Sequence, residues 1–379
     1  MGMPGLIKGK TQVVVLQPTP FCNINCRYCY LPDRSLTKRM TLTTLTRICQ
    51  SLFSSSLLAQ DITLAWHAGE PMVMPLSFYE QAWELIEQMN TQGVQVTMAF
   101  QTNGTLINQE WCDFIKKYGI HISISLDGPQ FLHDRERIDR MGRGTFERTM
   151  RGVHLLQEND IEPGIIMVLT RHALAYPGEV WQFFLDHHLN NLAFNVEEIN
   201  GAHKQSSLES EADLQKYKQF LKRFLELRNA CERPPFVRDV DPQVDRIGSI
   251  VRPVYAQENT PLAILSFDHE GNIATFASEL LTMSHPRYKS FLLGNVFEGP
   301  LEEILARPKL LEVNAEVQSG VARCKASCPY FTFCGGGSPV NKLSENGTFN
   351  STETMQCRFR IQATMDVVLE QLERTYDLA

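Results

Sequence analysis

The chain has 379 residues, a formal net charge of -7, 43% hydrophobic and 21% charged residues, which is the balance of a globular protein with a sizeable core. The acidic excess and the absence of any Lys/Arg run exclude a nucleic-acid-binding surface. No 18-residue apolar run marks a membrane span, Met1–Lys10 lacks a signal-peptide core, and Leu6 stands where a myristoylation signal wants Ser or Thr, so a cytoplasmic chain is expected.

Along the chain, short Val/Ile-rich runs alternate with amphipathic segments, and no internal repeat or low-complexity tract interrupts them. Strands are predicted at 12–17, 62–66, 94–100, 120–125, 163–169 and 191–196. Helices are predicted at 42–58, 77–91, 108–118, 145–158 and 178–189. Such alternation builds βα units around a parallel sheet, and right-handed crossovers curl six units into a barrel or part of one. A helix is predicted over 211–231, with Leu214, Tyr217, Leu221 and Phe224 on one face. The proline-bearing stretch 232–262 reads as irregular, and Asp268–Asn272 reads as the turn of a hairpin within 263–276. A cysteine-rich module fills 320–357, followed by a helix over 358–376 with Ile361, Met365, Val368, Leu372 and Tyr376 on its apolar stripe, expected to pack against the barrel.

Seven of the ten cysteines fall into two groups. In a chain without a secretion signal, clustered cysteines point to metal or redox chemistry rather than disulfides. Cys49, Cys112 and Cys231 stand alone in helical segments and read as small buried hydrophobes. Cys22-x3-Cys26-x2-Cys29 lies directly after the first strand. Three thiolates this close can hold three irons of a [4Fe–4S] cube and leave the fourth open, the layout of a catalytic site. Cys324-x3-Cys328-x5-Cys334-x22-Cys357 supplies four thiolates, for which zinc and [4Fe–4S] are both possible by spacing alone.

The first cluster resembles the defining motif of the radical S-adenosylmethionine (SAM) superfamily, with Tyr28 at its aromatic position. His67-Ala68-Gly69-Glu70-Pro71 resembles that family's GGEP motif, Ala68 replacing the first glycine. Ser123–Pro129 and His133–Arg137 resemble two further family stretches. The resemblance implies a partial (β/α)6 barrel with a SAM-binding [4Fe–4S] cluster on Cys22, Cys26 and Cys29. It implies SAM contacts from Tyr28, Gly69, Glu70, Pro71, Ser125 and Arg137, the guanidinium of Arg137 suiting the SAM carboxylate. Taken singly, Ser125 and Arg137 read equally as a strand-end cap and a surface charge. Gln101–Gly104 and Asn195–Glu198 point into the barrel mouth, either as substrate-pocket lining or as a turn and a solvated acidic loop.

The C-terminal region resembles the SPASM module of peptide-modifying radical SAM enzymes, with departures. Ser338 stands where a cysteine is expected, and no cysteine lies between 231 and 324. The resemblance therefore implies one auxiliary [4Fe–4S] cluster, on Cys324, Cys328, Cys334 and Cys357, for electron transfer or for structure. Boundaries are expected at 1–231 for the barrel, 232–319 for a linker and hairpin bridge, and 320–379 for the module with its final helix. Ala277 replaces the family's acid, and Glu279 is the nearest substitute as a catalytic base, unless it is a surface carboxylate.

Segments 194–199, 275–281 and 334–342 resemble the GrrM-type maturases of glycine-rich-repeat peptides. That resemblance implies an aromatic-ring-to-Cβ crosslink, a three-residue cyclophane, in a glycine-rich precursor peptide bearing aromatic residues. The electron donor would be a flavodoxin or ferredoxin. The rival readings are oxidation of Cys or Ser to formylglycine, another peptide thioether or carbon crosslink, and a non-catalytic iron–sulfur scaffold.

Overall fold

The computed structural model describes residues 10–247 and 254–375. The readings of the N-terminal segment through residue 9, of 248–253 and of Tyr376 fall outside these residues. The first half of the chain runs β1 (Thr11–Leu16), α1 (Leu42–Phe53), β2 (Leu58–Trp66), α2 (Leu76–Met89), β3 (Gln95–Thr102), α3 (Gln109–Tyr118), β4 (His121–Ser125), α4 (Gln130–Glu136), α5 (Phe146–Glu158), β5 (Gly164–Leu169), α6 (Pro177–Asp186) and β6 (Asn191–Val196). Strands β1 to β6 pair in chain order and all in parallel. Alternate residues of β5 divide the labour that a strand in such a sheet performs. Ile165, Met167 and Leu169 are buried in the core, while Ile166 and Val168 face a cavity inside the curve of the sheet.

Two boundaries differ from expectation for local reasons. Helix α1 stops at Phe53, because the hydroxyls of Ser54 and Ser55 donate to the Gln50 and Leu52 carbonyls and end the helix there. Strand β2 starts at Leu58, with Gln60 and Asp61 exposed at its beginning, where their polarity hid the strand from a hydrophobic scan. Helix α4 was not anticipated, since its seven residues carry too few apolar positions for a periodic signal.

An aromatic cluster locks α2 and α3 onto the sheet. Tyr79 packs edge-on to Trp66 and Phe100 with centroids 4.9 and 4.8 Å apart, and Trp111 lies 5.7 Å from Phe100. Such pairs contribute about 0.5–1.5 kcal/mol each beyond their buried area. The Tyr79 hydroxyl donates to the Pro71 carbonyl at 2.7 Å, so the core positions the loop after β2 directly.

Next come α7 (Glu211–Asn229), β7 (Phe236–Val237), α8 (Asp241–Ile247), β8 (Ile264–Phe267), β9 (Asn272–Thr275), β10 (Ser284–His285), β11 (Lys289–Ser290) and β12 (Gly294–Asn295). A capping box between Ser210 and Asp213 starts α7. The hairpin β8–β9 brackets the expected turn, but it does more than bridge. Strand β8 pairs in parallel with β1, giving the sheet order β12-β9-β8-β1-β2-β3-β4-β5-β6-β7. The barrel is therefore open, with β1 in the interior of the sheet.

The chain ends with α9 (Leu301–Leu305), α10 (Pro308–Ser327), α11 (Phe331–Cys334), α12 (Pro339–Asn346), α13 (Met355–Cys357), a π-helical turn over Arg358–Ala363, and α14 (Thr364–Thr375). Helix α10 runs across residue 320, where the module was expected to begin. The final helix packs on α7, with Met365 and Val368 buried, the Tyr217 hydroxyl 3.1 Å from Thr364 Oγ1, and Lys218 paired to Asp366 at 2.6 Å. Cys49 and Cys112 are buried in the core and Cys231 packs at its edge, as expected for small hydrophobes. No helix among the described residues is long and apolar enough to cross a membrane.

Candidate active site

The loop after β1 carries the first three cysteines and is pinned from two sides. The N–H groups of Asn25 and Arg27 donate to the carbonyls of Ile138 and Glu136. Arg140 donates from Nε and Nη2 to the Cys22 carbonyl at 3.1 and 2.7 Å, and Arg34 donates to the Cys26 carbonyl at 2.9 Å. Cys22, Cys26 and Cys29 line one cavity of about 470 Å³. Burial, and next the nearby Glu70, pushes the Cys22 thiol well up, and burial pushes Cys26 up to about 11. Thiols held protonated in this way release their protons on binding a metal.

Gly69 and Glu70 join this loop to β3. The Glu70 N–H donates to the Phe21 carbonyl at 2.8 Å. The buried Glu70 carboxylate accepts from the Thr102 hydroxyl at 2.6 Å, the Asn103 N–H at 2.8 Å and the Met72 N–H at 3.0 Å. Burial raises its pKa, and these three bonds pull it back. The carboxylate thus holds the motif together at the cavity wall. Pro71 starts the short turn that follows and does not line the cavity.

Gly69 has φ +61°, and a Cβ there would sit 2.4 Å from the Thr19 oxygen and 2.6 Å from the Phe21 oxygen. Ala68, in place of the family's glycine, also has a positive φ, at 69°. Gly69→Ala is expected to cost about 2–4 kcal/mol through strain and overlap with backbone. Ala68→Gly is expected to change stability by under about 1 kcal/mol, since relief of strain offsets the freer unfolded chain. Urea denaturation of the two variants beside the parent checks both values.

At the end of β4, Ser125 Oγ accepts from the Gln101 amide at 2.9 Å. Arg137 is buried against Asp127, with Nη2 3.0 Å from Oδ1 and Nε 3.0 Å from Oδ2, the latter close but not aligned as a hydrogen bond. Asp127 also accepts from the Tyr28 hydroxyl and from the Val168 N–H at 2.9 Å. The guanidinium lies 5.4 Å from the Tyr28 ring centre. Burial opposes the Arg137 charge, yet Asp127 holds its pKa above the ordinary value. Arg137 is thus neither a surface charge nor an unpaired cation, but one half of a buried ion pair at the cavity wall.

Across the cavity stand Asn195, Glu197, Glu198 and Glu279. Glu197 accepts from His203 at 3.0 Å and the Ser207 N–H at 2.9 Å, while Asn341 of α12 donates to Glu198 at 3.0 Å. The expectation of a solvated acidic loop fails, because these contacts fold it inward. Glu279 sits in the turn after β9, and burial, then Glu258 and Glu198, pushes its carboxyl up to about 7. Tyr30 Oη lies 3.0 Å from His67 Nε2 on the same wall, and burial lowers the His67 pKa to about 4, leaving a neutral ring. Sequence reasoning missed Asp127, Arg140 and the Tyr30–His67 pair. Asp127 lay within the Ser123–Pro129 stretch, of which only Ser125 was singled out.

The four C-terminal cysteines line a second cavity of about 180 Å³, with Gly336, Gly337, Lys342, Glu353 and Gln362. Cys334 Sγ accepts from the Gly336 N–H at 3.4 Å, and Cys357 Sγ from Gln362 at 3.6 Å. Among the described residues no three His, Cys, Asp or Glu side chains converge on one point as ligands of a single ion do. Three thiols around the first cavity and four around the second are a donor set that suits an iron–sulfur cube, which takes one thiolate to each iron.

Comparison with known proteins agrees with this geometry. The Radical SAM superfamily matches residues 16–187. An uncharacterized protein of Synechocystis sp. is 44% identical over 375 residues, covering 98% of this chain and 94% of the relative. A serine-type anaerobic sulfatase-maturating enzyme of Bacteroides thetaiotaomicron is 27% identical over 352 residues, covering 88% and 84%. Among solved structures, anSMEcpe with bound AdoMet and the Kp18Cys peptide superposes with a TM-score of 0.79 at 20% identity, over 97% of this chain and 100% of that one, a likeness of fold.

Proposed function

The chain belongs to the radical SAM superfamily and is a peptide-modifying enzyme, and we propose that it joins an aromatic ring carbon to the Cβ of a residue two positions on in a ribosomally made precursor. The observation that carries this reading is convergence: the three loop cysteines, Tyr28, Gly69, Glu70, Ser125, Arg137 and Glu279 all face one cavity. A [4Fe–4S] cluster on Cys22, Cys26 and Cys29, with SAM on its open iron, would supply a 5′-deoxyadenosyl radical to abstract hydrogen. The chain's own residues then orient and exclude. Val15, Ala65, Ile166 and Val168 give the cavity apolar walls that keep water from a radical. Tyr28, Ser125 and Arg137, which line the same cavity, would hold the nucleoside and amino-acid parts of SAM, and Glu70 fixes the loop beside them.

Restoring aromaticity after ring attack requires loss of one electron, which a cluster on the four C-terminal cysteines would accept, and of a ring proton, which Glu279 on the wall of the first cavity would take. Its pKa of about 7 against an ordinary 4.5 matches a base working near neutrality. Because the folded state holds this proton more tightly than the unfolded one, Glu279 costs stability as pH rises from about 4.5 through 7. Crosslinking should therefore rise with pH through about 7, while stability falls over the same window by on the order of 3 kcal/mol. Glu279→Gln is expected to keep deoxyadenosine formation and lose at least about 100-fold in crosslinked product.

Similarity to the serine-type maturating enzyme favours a second reading, oxidation of a Ser or Cys side chain to formylglycine. The test is anaerobic incubation with SAM, dithionite and a glycine-rich, aromatic-containing precursor. Loss of two hydrogens mapped to an aromatic three-residue unit, with no aldehyde trapped by a hydrazide, supports the crosslink. A trapped aldehyde would establish the second reading instead. A flavodoxin or ferredoxin as natural reductant is tested in the same assay by replacing dithionite.

A further inference from the structure

We infer that Lys342 is the buried counter-cation of an anionic cluster held by Cys324, Cys328, Cys334 and Cys357, and that its charge raises that cluster's reduction potential. The inference rests on the reading of these four cysteines as cluster ligands. Lys342 is 2% exposed, on α12, and faces the second cavity together with all four cysteines. Its Cε lies 3.8 Å from where a Gly337 Cβ would stand, so the end of the side chain reaches the glycine run at the cavity wall. No carboxylate among the described residues comes within 4.0 Å of its ammonium. Glu353, which also faces the cavity, is engaged by Gln362 at 2.9 Å and lies 3.7 Å from Arg358.

A lysine buried without a partner costs several kcal/mol, so a fold that keeps one there places an anion beside it. Four thiolates on a [4Fe–4S] core leave a net negative charge, which grows by one on reduction. A fixed positive charge therefore favours the reduced form. Net charge and hydrogen bonds to sulfur are among the quantities that set such potentials. The N–H···S contacts from Gly336 and Gln362 act in the same direction. The glycine run has φ of +67°, +117° and +73° at 335–337, and a Cβ on Gly335 would meet the Val254 oxygen at 2.6 Å. Only glycine turns the Gly336 N–H onto Cys334 in this space.

The experiment uses the full chain with Cys22, Cys26 and Cys29 replaced by alanine, so that one cluster dominates the spectra. Iron content and an EPR-monitored redox titration are measured with Lys342 intact and in Lys342→Met and Lys342→Arg. Met is expected to lower the one-electron reduction equilibrium at least tenfold, 59 mV, and Arg to stay within threefold of the parent. A Met variant with full iron and an unchanged midpoint overturns the inference. If Met takes up no iron while Arg does, charge is required to hold the anion and the inference stands. If neither takes up iron, shape and not charge matters and the inference falls. A parent chain without about four irons would instead remove the cluster reading itself.

Discussion

If both cysteine groups hold clusters, a chain with Cys26→Ala is expected to form no deoxyadenosine while remaining folded and keeping about half of the roughly eight irons that two cubes would supply. The fold survives because the loop is held by its backbone. Arg34 bonds the Cys26 carbonyl, and the N–H groups on either side bond the carbonyls of Glu136 and Ile138, none of which involves the Cys26 side chain. The activity does not survive, because two remaining thiolates cannot hold a cube with one iron left open. Iron analysis beside chromatography of the nucleoside product measures both parts. Deoxyadenosine at the parent's rate would remove Cys26 from the ligand set.

The second large effect falls on stability. Asp127→Ala is expected to destabilise the protein by about 3–5 kcal/mol, the usual cost of stranding one half of a buried ion pair. Arg137 is 6% exposed and Asp127 3%, so water cannot replace the lost partner. The same carboxylate also receives the Tyr28 hydroxyl and the Val168 N–H, so its loss leaves two further donors unsatisfied at the cavity wall. The double variant Asp127→Ala with Arg137→Met should recover a large part of that stability, because no charge is then buried alone. Urea unfolding of the three chains is the measurement. A single variant as stable as the parent would show that Arg137 finds another partner.

Much of this arrangement was legible in the sequence, and for identifiable reasons. Strands β1 to β6 announced themselves by β-branched runs, and the cysteine spacings are short enough to survive any uncertainty in fold. Glu279 was found by its place relative to the hairpin, and the structure puts it in the same cavity as the cluster loop. The partners of the site residues were not legible. Asp127 and Arg137 are ten residues apart and meet across α4, which lies between them in the chain and has no readable period. Lys342 carried no signal, since burial of a lysine depends on what surrounds it in space. Ends of elements were set by side chains that cap, as with Ser54 and Ser55, rather than by hydrophobic pattern.

The place of β1 in the sheet sets an order of assembly. Thr11 donates to the Leu262 carbonyl and Gln17 to the Ser278 carbonyl, partners 251 and 261 residues downstream. At about 5–20 residues per second of synthesis, β1 waits roughly ten to fifty seconds for its second neighbour. During that time it exposes an unpaired strand edge, the kind of surface on which chains aggregate and chaperones act. The same delay withholds Glu279, which is translated just after the β8–β9 hairpin. A nascent chain therefore acquires its cysteine loop early and Glu279 late, and no partly made chain presents the complete cavity.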